Sequence, residues 1–240
     1  MTADRGLIAE VRARLEAEAC ETRAMAQQRY MRSELPYFGV PMPRIRAITK
    51  EVFAAHPLAT YEDWCDTILA LFREATHRDL WYVAVELADA RAYRPHARRL
   101  ESLDLYEALI VEAAWWDVVD TVASHLVGGL FEADAAWTSA RMREWSTDAH
   151  LWKRRTSIIC QLRRKRSLDL GLLGDCIAPN LADRDFFIRK AIGWALREAS
   201  KTRPAEIARY VESNATALSR LSRREALRHL VRTGQVIEAP

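Results

Sequence analysis

Four aromatic residues, Trp81, Trp116, Trp152 and Phe187, recur at intervals of about 35 residues, each near the start of a helically patterned segment that a turn and a second such segment follow. A unit of this length is one helical pair, too small to bury its apolar stripe alone, so successive pairs must stack and share a core. Strand signals are nearly absent, with little β-branched alternation and no Asn-Gly or Asp-Gly hairpin turn. The pattern predicts an all-α chain: a helical-repeat solenoid spanning residues 1–240 as one domain, with a concave groove as its binding surface. Segments 1–43 and 221–240 are expected to form its terminal caps. Turns are expected at Gly128-Gly129 and Asp134, Ser146 to Asp148, Gly171 and Gly174, Pro179-Asn180, and Pro204.

The first third is less regular. Helices are expected over Leu7–Cys20 and Thr22–Arg32, after which Pro36, Gly39, Pro41 and Pro43 force a connector in which Tyr37 and Phe38 anchor to the core. Pro43 suits the first turn of a helix reaching about His56, and Thr60 caps the next, with Glu62 and Asp63 in its favourable first turn. A helix over His77–Tyr93 follows, closed by Pro95.

Half of the residues are hydrophobic, ample for a core without covalent staples. Cys20, Cys65, Cys160 and Cys176 are scattered, with no C-x-x-C and no histidine at ligand spacing, so reduced thiols and no metal site are expected. Met1 to Arg14 has no uninterrupted apolar run, which predicts a soluble, cytoplasmic protein with no membrane partner. The net charge of +3 hides an asymmetry: from Arg141 onward 21 Lys and Arg face 11 acids. Two readings stay open, an anionic partner or a set of solvated helix faces.

The segment Trp115–Asp120 reads W-W-D-V-V-D. As a helix it places Trp115, Val118, Val119, Val122 and Leu126 on one apolar stripe, with Trp116 and Asp120 one turn apart on its flank. A ring face beside a carboxylate suits a flat cationic ligand, although an interfacial Trp next to a capping Asp gives the same pattern. In the helix expected over His150–Arg164, Arg155 lies within the apolar face of Leu151, Ile158, Ile159 and Leu162, where a guanidinium must reach out or pair. Lys153 and Arg154 beside it also read as ordinary surface charge. Over Asp185–Ala199, one stripe is Ile188, Ile192, Ala195 and Ala199, and a second is Phe187, Lys190, Ala191 and Trp194. Gly193 costs about 1 kcal/mol against Ala in a helix interior and so predicts a close approach. Nucleophile-elbow, phosphate-loop and zinc-protease motifs are missing, which leaves any chemistry to a carboxylate. Cleavage of an N-glycosidic bond to a cationic base fits, because the base is already activated and the sugar passes through an oxocarbenium ion.

W-W-D-V-V-D, L-W-K-R-R-T-S-I-I-C-Q-L and F-F-I-R-K-A-I-G-W-A-L-R-E, in that order and spacing, resemble the bacterial alkylpurine DNA glycosylases built of HEAT-like repeats, the DNA alkylation repair family. Q-R-Y-M-R…Y-F-G-V-P-M-P-R and L-S-R-R-E-A-L-R-H extend the resemblance over nearly the whole chain. It implies a metal-free, cofactor-free DNA glycosylase, acting as a monomer, that excises N3- and N7-alkylated purines from duplex DNA without swinging the base into a pocket. By the same resemblance Asp120 stabilises the oxocarbenium ion and holds the attacking water, while Trp116 and Trp194 flank the damaged nucleotide. Arg155 contacts the nearby phosphate, and Tyr30 lines the same cleft. Lys153, Arg154 and Lys190 join them as candidate DNA contacts. Thr76–Leu87, with His77 and Trp81, departs from the family pattern and receives no role. The rival from another class is a non-catalytic helical repeat that binds DNA or protein, which has no need of Asp120.

Overall fold

In a computed structural model, which describes residues 3–235, every regular element is helical. Among these residues no helix is long and apolar enough to cross a membrane. The last part of the expected C-terminal cap, residues 236–240, lies outside them. Two compact units make up the chain, Met1–Leu105 and Tyr106–Pro240.

The first unit contains α1 (Arg5–Ala17), α2 (Glu21–Met31), α3 (Met42–Ala55), α4 (Tyr61–Arg73), α5 (Asp79–Ala88), a short turn at Arg91–Tyr93, the single turn α6 (Arg94–Ala97) and the start of α7 (Ser102–Ala113). Helix α1 begins where the Asp4 carboxylate accepts the Leu7 N–H, and its buried residues Leu7, Val11 and Leu15 repeat every four positions. It packs on α3 and α4, and α5 on α3 and α4. Thr60 caps α4 as expected, its hydroxyl accepting from the Asp63 N–H at 3.0 Å. By contrast α2 buries no side chain at all. Each fully buried aliphatic side chain contributes about 1.5–3 kcal/mol, so α2 is the least anchored helix of the unit.

What holds α2 close is the connector behind it. Tyr37, Phe38 and Val40 are buried, and both carboxylate oxygens of the fully buried Asp79 accept backbone N–H groups there, Phe38 at 2.8 Å and Val40 at 3.3 Å. Gly39 sits between them at φ +82°, where a Cβ would stand 2.4 Å from the Cys20 carbonyl oxygen, so only glycine fits. Because Asp79 opens α5, that helix starts two residues later than the pattern predicts, and it ends at Ala88.

The second unit continues with α8 (Trp116–Thr121), a π-helical stretch Val122–Val127, α9 (Gly128–Leu130), α10 (Ala135–Trp145), α11 (Leu151–Ile159), α12 (Leu170–Ile177), α13 (Phe186–Ser200), α14 (Pro204–Ser213) and α15 (Arg220–Arg232). Helix α11 packs on α8 and α13, and α13 on α15, forming a row in which each helix rests on the next; α10 and α12 pack on α11, and α14 on α13 and α15. This is the stacking of pairs that the repeat predicts.

Two turn expectations and one helix end differ here. Gly128 and Gly129 continue a helix, and the turn comes after Leu130. A Cβ on Gly128 would lie 2.5 Å from the Cys160 carbonyl oxygen, so this glycine permits a backbone contact. Gly171 and Gly174 likewise lie within α12, which Asp169 caps. Helix α11 stops at Ile159, short of Arg164. The close approach expected at Gly193 is present: α15 lies against it, with the Glu225 Cβ 2.5 Å and the Ser222 carbonyl oxygen 2.9 Å from where a Cβ would stand.

Candidate functional site

The W-W-D-V-V-D segment begins a helix instead of lying inside one. Helix α7 ends at Ala113, Ala114 takes a left-handed conformation at φ +44°, and Trp115 is extended at φ −150° and ψ 145° before α8 starts at Trp116. Val118, Val119, Val122 and Leu126 form the buried stripe as expected, but Trp115 does not belong to it. It turns instead onto Trp152 and Phe187, with ring centroids 6.2 and 5.4 Å away; those two rings are 5.0 Å apart. The π-helical stretch follows directly, and the Ser124 hydroxyl donates to the Asp120 carbonyl at 2.7 Å. Such local widening of an α-helix is frequent at functional sites.

Asp120 and Arg155 face each other between α8 and α11. The guanidinium donates through Nε to Oδ1 and through Nη2 to Oδ2, both at 2.8 Å, and its Nη1 donates to the carbonyl of Phe187 at the start of α13. The Arg155 side chain is 4% exposed and that of Asp120 18%. The Trp152 and Phe187 rings lie about 6 Å from the guanidinium carbon. Burial pushes the Asp120 carboxyl above its ordinary range; Arg155 pulls it back only in part, and the neighbouring charge of Asp117 adds to the rise. Three of the five N–H groups of Arg155 are thus engaged within the protein. The alternative posed by the sequence, reach out or pair, is decided in favour of pairing.

The other candidate cations are also paired. Lys153 lies between Glu107 and Asp148, at 2.8 and 2.6 Å, and is nearly buried; burial lowers its pKa, but the two carboxylates outweigh this and the net shift is upward. Arg154 donates to the carbonyls of Asp148 and Ala149 and to the Asp183 carboxylate at 3.0 Å. Asp183 in turn accepts the Asp185 N–H, and the Asp185 carboxylate caps α13 by accepting from Phe187 and Ile188. This chain of bonds carries the Phe187 carbonyl to Arg155. Lys190 and Arg197 both pair with the buried Glu225 on α15. Lys153, Arg154 and Lys190, expected as DNA contacts, therefore tie α11 and α13 to neighbouring loops and helices in this structure.

Trp116 and Trp194 are each half-buried, on helices α8 and α13 that flank α11. Tyr30 lies on α2 in the first unit and is 73% exposed. Trp115, Trp152 and Phe187 were legible in the sequence as markers of the repeat, or as core, but not as the wall of the Asp120–Arg155 pair. The buried indole N–H of Trp115 has no hydrogen-bond partner among the described residues.

A helical-repeat scaffold carrying a carboxylate in an aromatic wall is thus in place, and comparison with known proteins identifies its class. The sequence profile of the DNA alkylation repair enzyme family matches residues 11–230, so the chain belongs to that family of DNA repair enzymes. A solved structure described as a predicted DNA alkylation repair enzyme from Enterococcus faecalis is 27% identical and superposes with a TM-score of 0.80, covering 88% of this chain and 96% of that one. No curated protein matches the chain.

Proposed function

We propose that this chain is a DNA glycosylase that hydrolyses the N-glycosidic bond of cationic N3- or N7-alkylated purines in duplex DNA. The observation that carries this reading is the Asp120 carboxylate, aimed by two hydrogen bonds from Arg155, whose guanidinium lies about 6 Å from the Trp152 and Phe187 rings, and still 18% exposed. The leaving base already bears positive charge, so no acid is needed to expel it. What rises toward the transition state is positive charge on the sugar. A carboxylate fixed beside the anomeric carbon stabilises that charge more than the ground state and can hold the attacking water. Arg155 keeps the carboxylate ionised and oriented. Trp116 and Trp194 position the damaged nucleotide, and the base leaves without entering a protein pocket.

The test is release of free base from duplex DNA carrying 7-methylguanine, under single-turnover conditions, by the parent protein, Asp120→Asn and Asp117→Asn. Release by the parent and by Asp117→Asn, with strong loss in Asp120→Asn, supports the assignment. Loss confined to Asp117→Asn moves it to the other carboxylate. If the parent binds duplex DNA but releases no base, the chain is a binding module.

A further inference from the structure

The cations around Asp120 are neutralised by protein acids, whereas a second group in the same unit is not. Beyond the end of α11 the chain runs through four consecutive cations, Arg163, Arg164, Lys165 and Arg166. The loop that carries them is built, not loose. At its base the buried Gln161 side chain donates to the Asp169 carbonyl at 3.0 Å and accepts the Asp169 N–H at 2.9 Å. Arg203 Nη2 donates to the Arg166 carbonyl at 3.2 Å, and the Ser167 hydroxyl to the Arg164 carbonyl at 2.7 Å. Arg164 lies 4.4 Å over the Phe131 ring, and Arg163 is held against His125. Lys165 takes a left-handed backbone at φ +50°, which costs on the order of 1 kcal/mol for a non-glycine residue.

Arg163, Lys165 and Arg166 are exposed, and among the described residues no carboxylate pairs with any of the four or with Arg203. Five like charges gathered at one loop repel one another, and among the described residues they are met by a ring, an imidazole and carbonyls, not by an acid. A loop whose backbone is already fixed loses little chain freedom when an anion with regularly spaced charges arrives.

We propose that Arg163, Lys165 and Arg166, backed by Arg164 and Arg203, form the principal phosphate-contacting edge of this unit, and that its ligand is the backbone of duplex DNA. The proposal rests on the DNA-repair reading above for the identity of the polyanion. It moves most phosphate contacts away from Lys153, Arg154 and Lys190, the candidate DNA contacts of the sequence, which are paired with acids.

The experiment is equilibrium binding of the full chain to an undamaged, fluorescently labelled duplex over a range of salt concentrations. One variant carries Arg163→Gln, Lys165→Gln and Arg166→Gln together; a second carries Arg141→Gln, Arg143→Gln and Arg209→Gln, which removes the same charge from α10 and α14. Each phosphate neutralised adds about 0.9 to the log–log salt slope, so the first variant should flatten it by about 2 to 3 and weaken low-salt binding roughly 10- to 100-fold. The second should change the slope by less than about 1. Helical circular dichroism and the thermal midpoint establish that both fold. Equal effects of the two variants overturn the proposal, as does an unchanged slope in the first. So does a first variant that loses binding to anionic lipid vesicles while keeping that to DNA. A parent that binds no duplex DNA at all overturns the DNA-repair reading itself.

Discussion

Asp79, which opens α5, and Asp120, in the last turn of α8, are both aspartates largely removed from water, and burial raises the pKa of each. Their partners differ. Asp79 is fully enclosed and accepts the Phe38 and Val40 N–H groups, neutral donors that tie the connector to α5. Asp120 faces a full cation in Arg155 and keeps an edge to solvent. Neutral amides satisfy a carboxylate and leave it a structural latch. A guanidinium fixes the charge in place, and the open edge lets that charge act on something outside the protein.

The largest effect expected from this contrast is on chemistry. Asp120→Asn keeps the shape but not the charge and should lower single-turnover excision by about 10² to 10³, roughly 3 to 4 kcal/mol. Because the substitution removes a repulsive charge, binding to alkylated duplex should be as tight as in the parent or tighter. Weaker binding together with slower excision would mean that the carboxylate shapes the site without acting in the reaction. Asp79→Ala should behave in the opposite way. It strands two backbone N–H groups, each costing about 1–3 kcal/mol, so the denaturation midpoint falls while single-turnover excision by the folded fraction is retained.

Acidity sharpens the comparison further. Asp120 must be ionised to stabilise a cation, and its pKa is raised, so excision should lose activity on the acid side at a pH above the ordinary aspartate value of 3.8. Removing the Arg155 charge with Arg155→Gln should move that limb to still higher pH. A limb that stays in place would show that Arg155 does not act through Asp120. For Asp79 the readout is stability. Below pH 3.8 both folded and unfolded chains carry the proton; above it the unfolded chain ionises first, so the contribution of Asp79 declines as pH rises through its raised folded-state value. Asp79→Asn should remove that decline from the pH dependence of unfolding.

The smallest effect concerns the break before W-W-D-V-V-D. Ala114 at φ +44° costs about 1 kcal/mol that glycine would not, so Ala114→Gly should raise the thermal midpoint by a few degrees at most and leave excision unchanged. A fall in the midpoint would mean that the Ala114 methyl group contributes more by packing than its backbone costs.

Sequence by itself determined the class of fold, because apolar stripes at helical spacing and an aromatic recurrence near 35 residues depend only on local geometry and on the need to bury one face. It also located Pro43, Thr60 and the anchoring Tyr37 and Phe38, whose preferences are set by their own backbone and side-chain chemistry. It singled out Arg155 as a guanidinium that had to reach out or pair, but neither which of the two nor the partner, since Asp120 lies 35 residues away and the contact exists only once α11 packs on α8. Periodicity carried Trp115 into a helix that Ala114 interrupts, because one alanine in a left-handed conformation leaves no mark in composition. The same blindness applied to charge. Lys153, Arg154 and Lys190 look like free cations along the chain, and Glu107, Asp148, Asp183 and Glu225 neutralise them only after folding. Which charges remain for a partner is settled by long-range pairing, and that belongs to the tertiary structure alone.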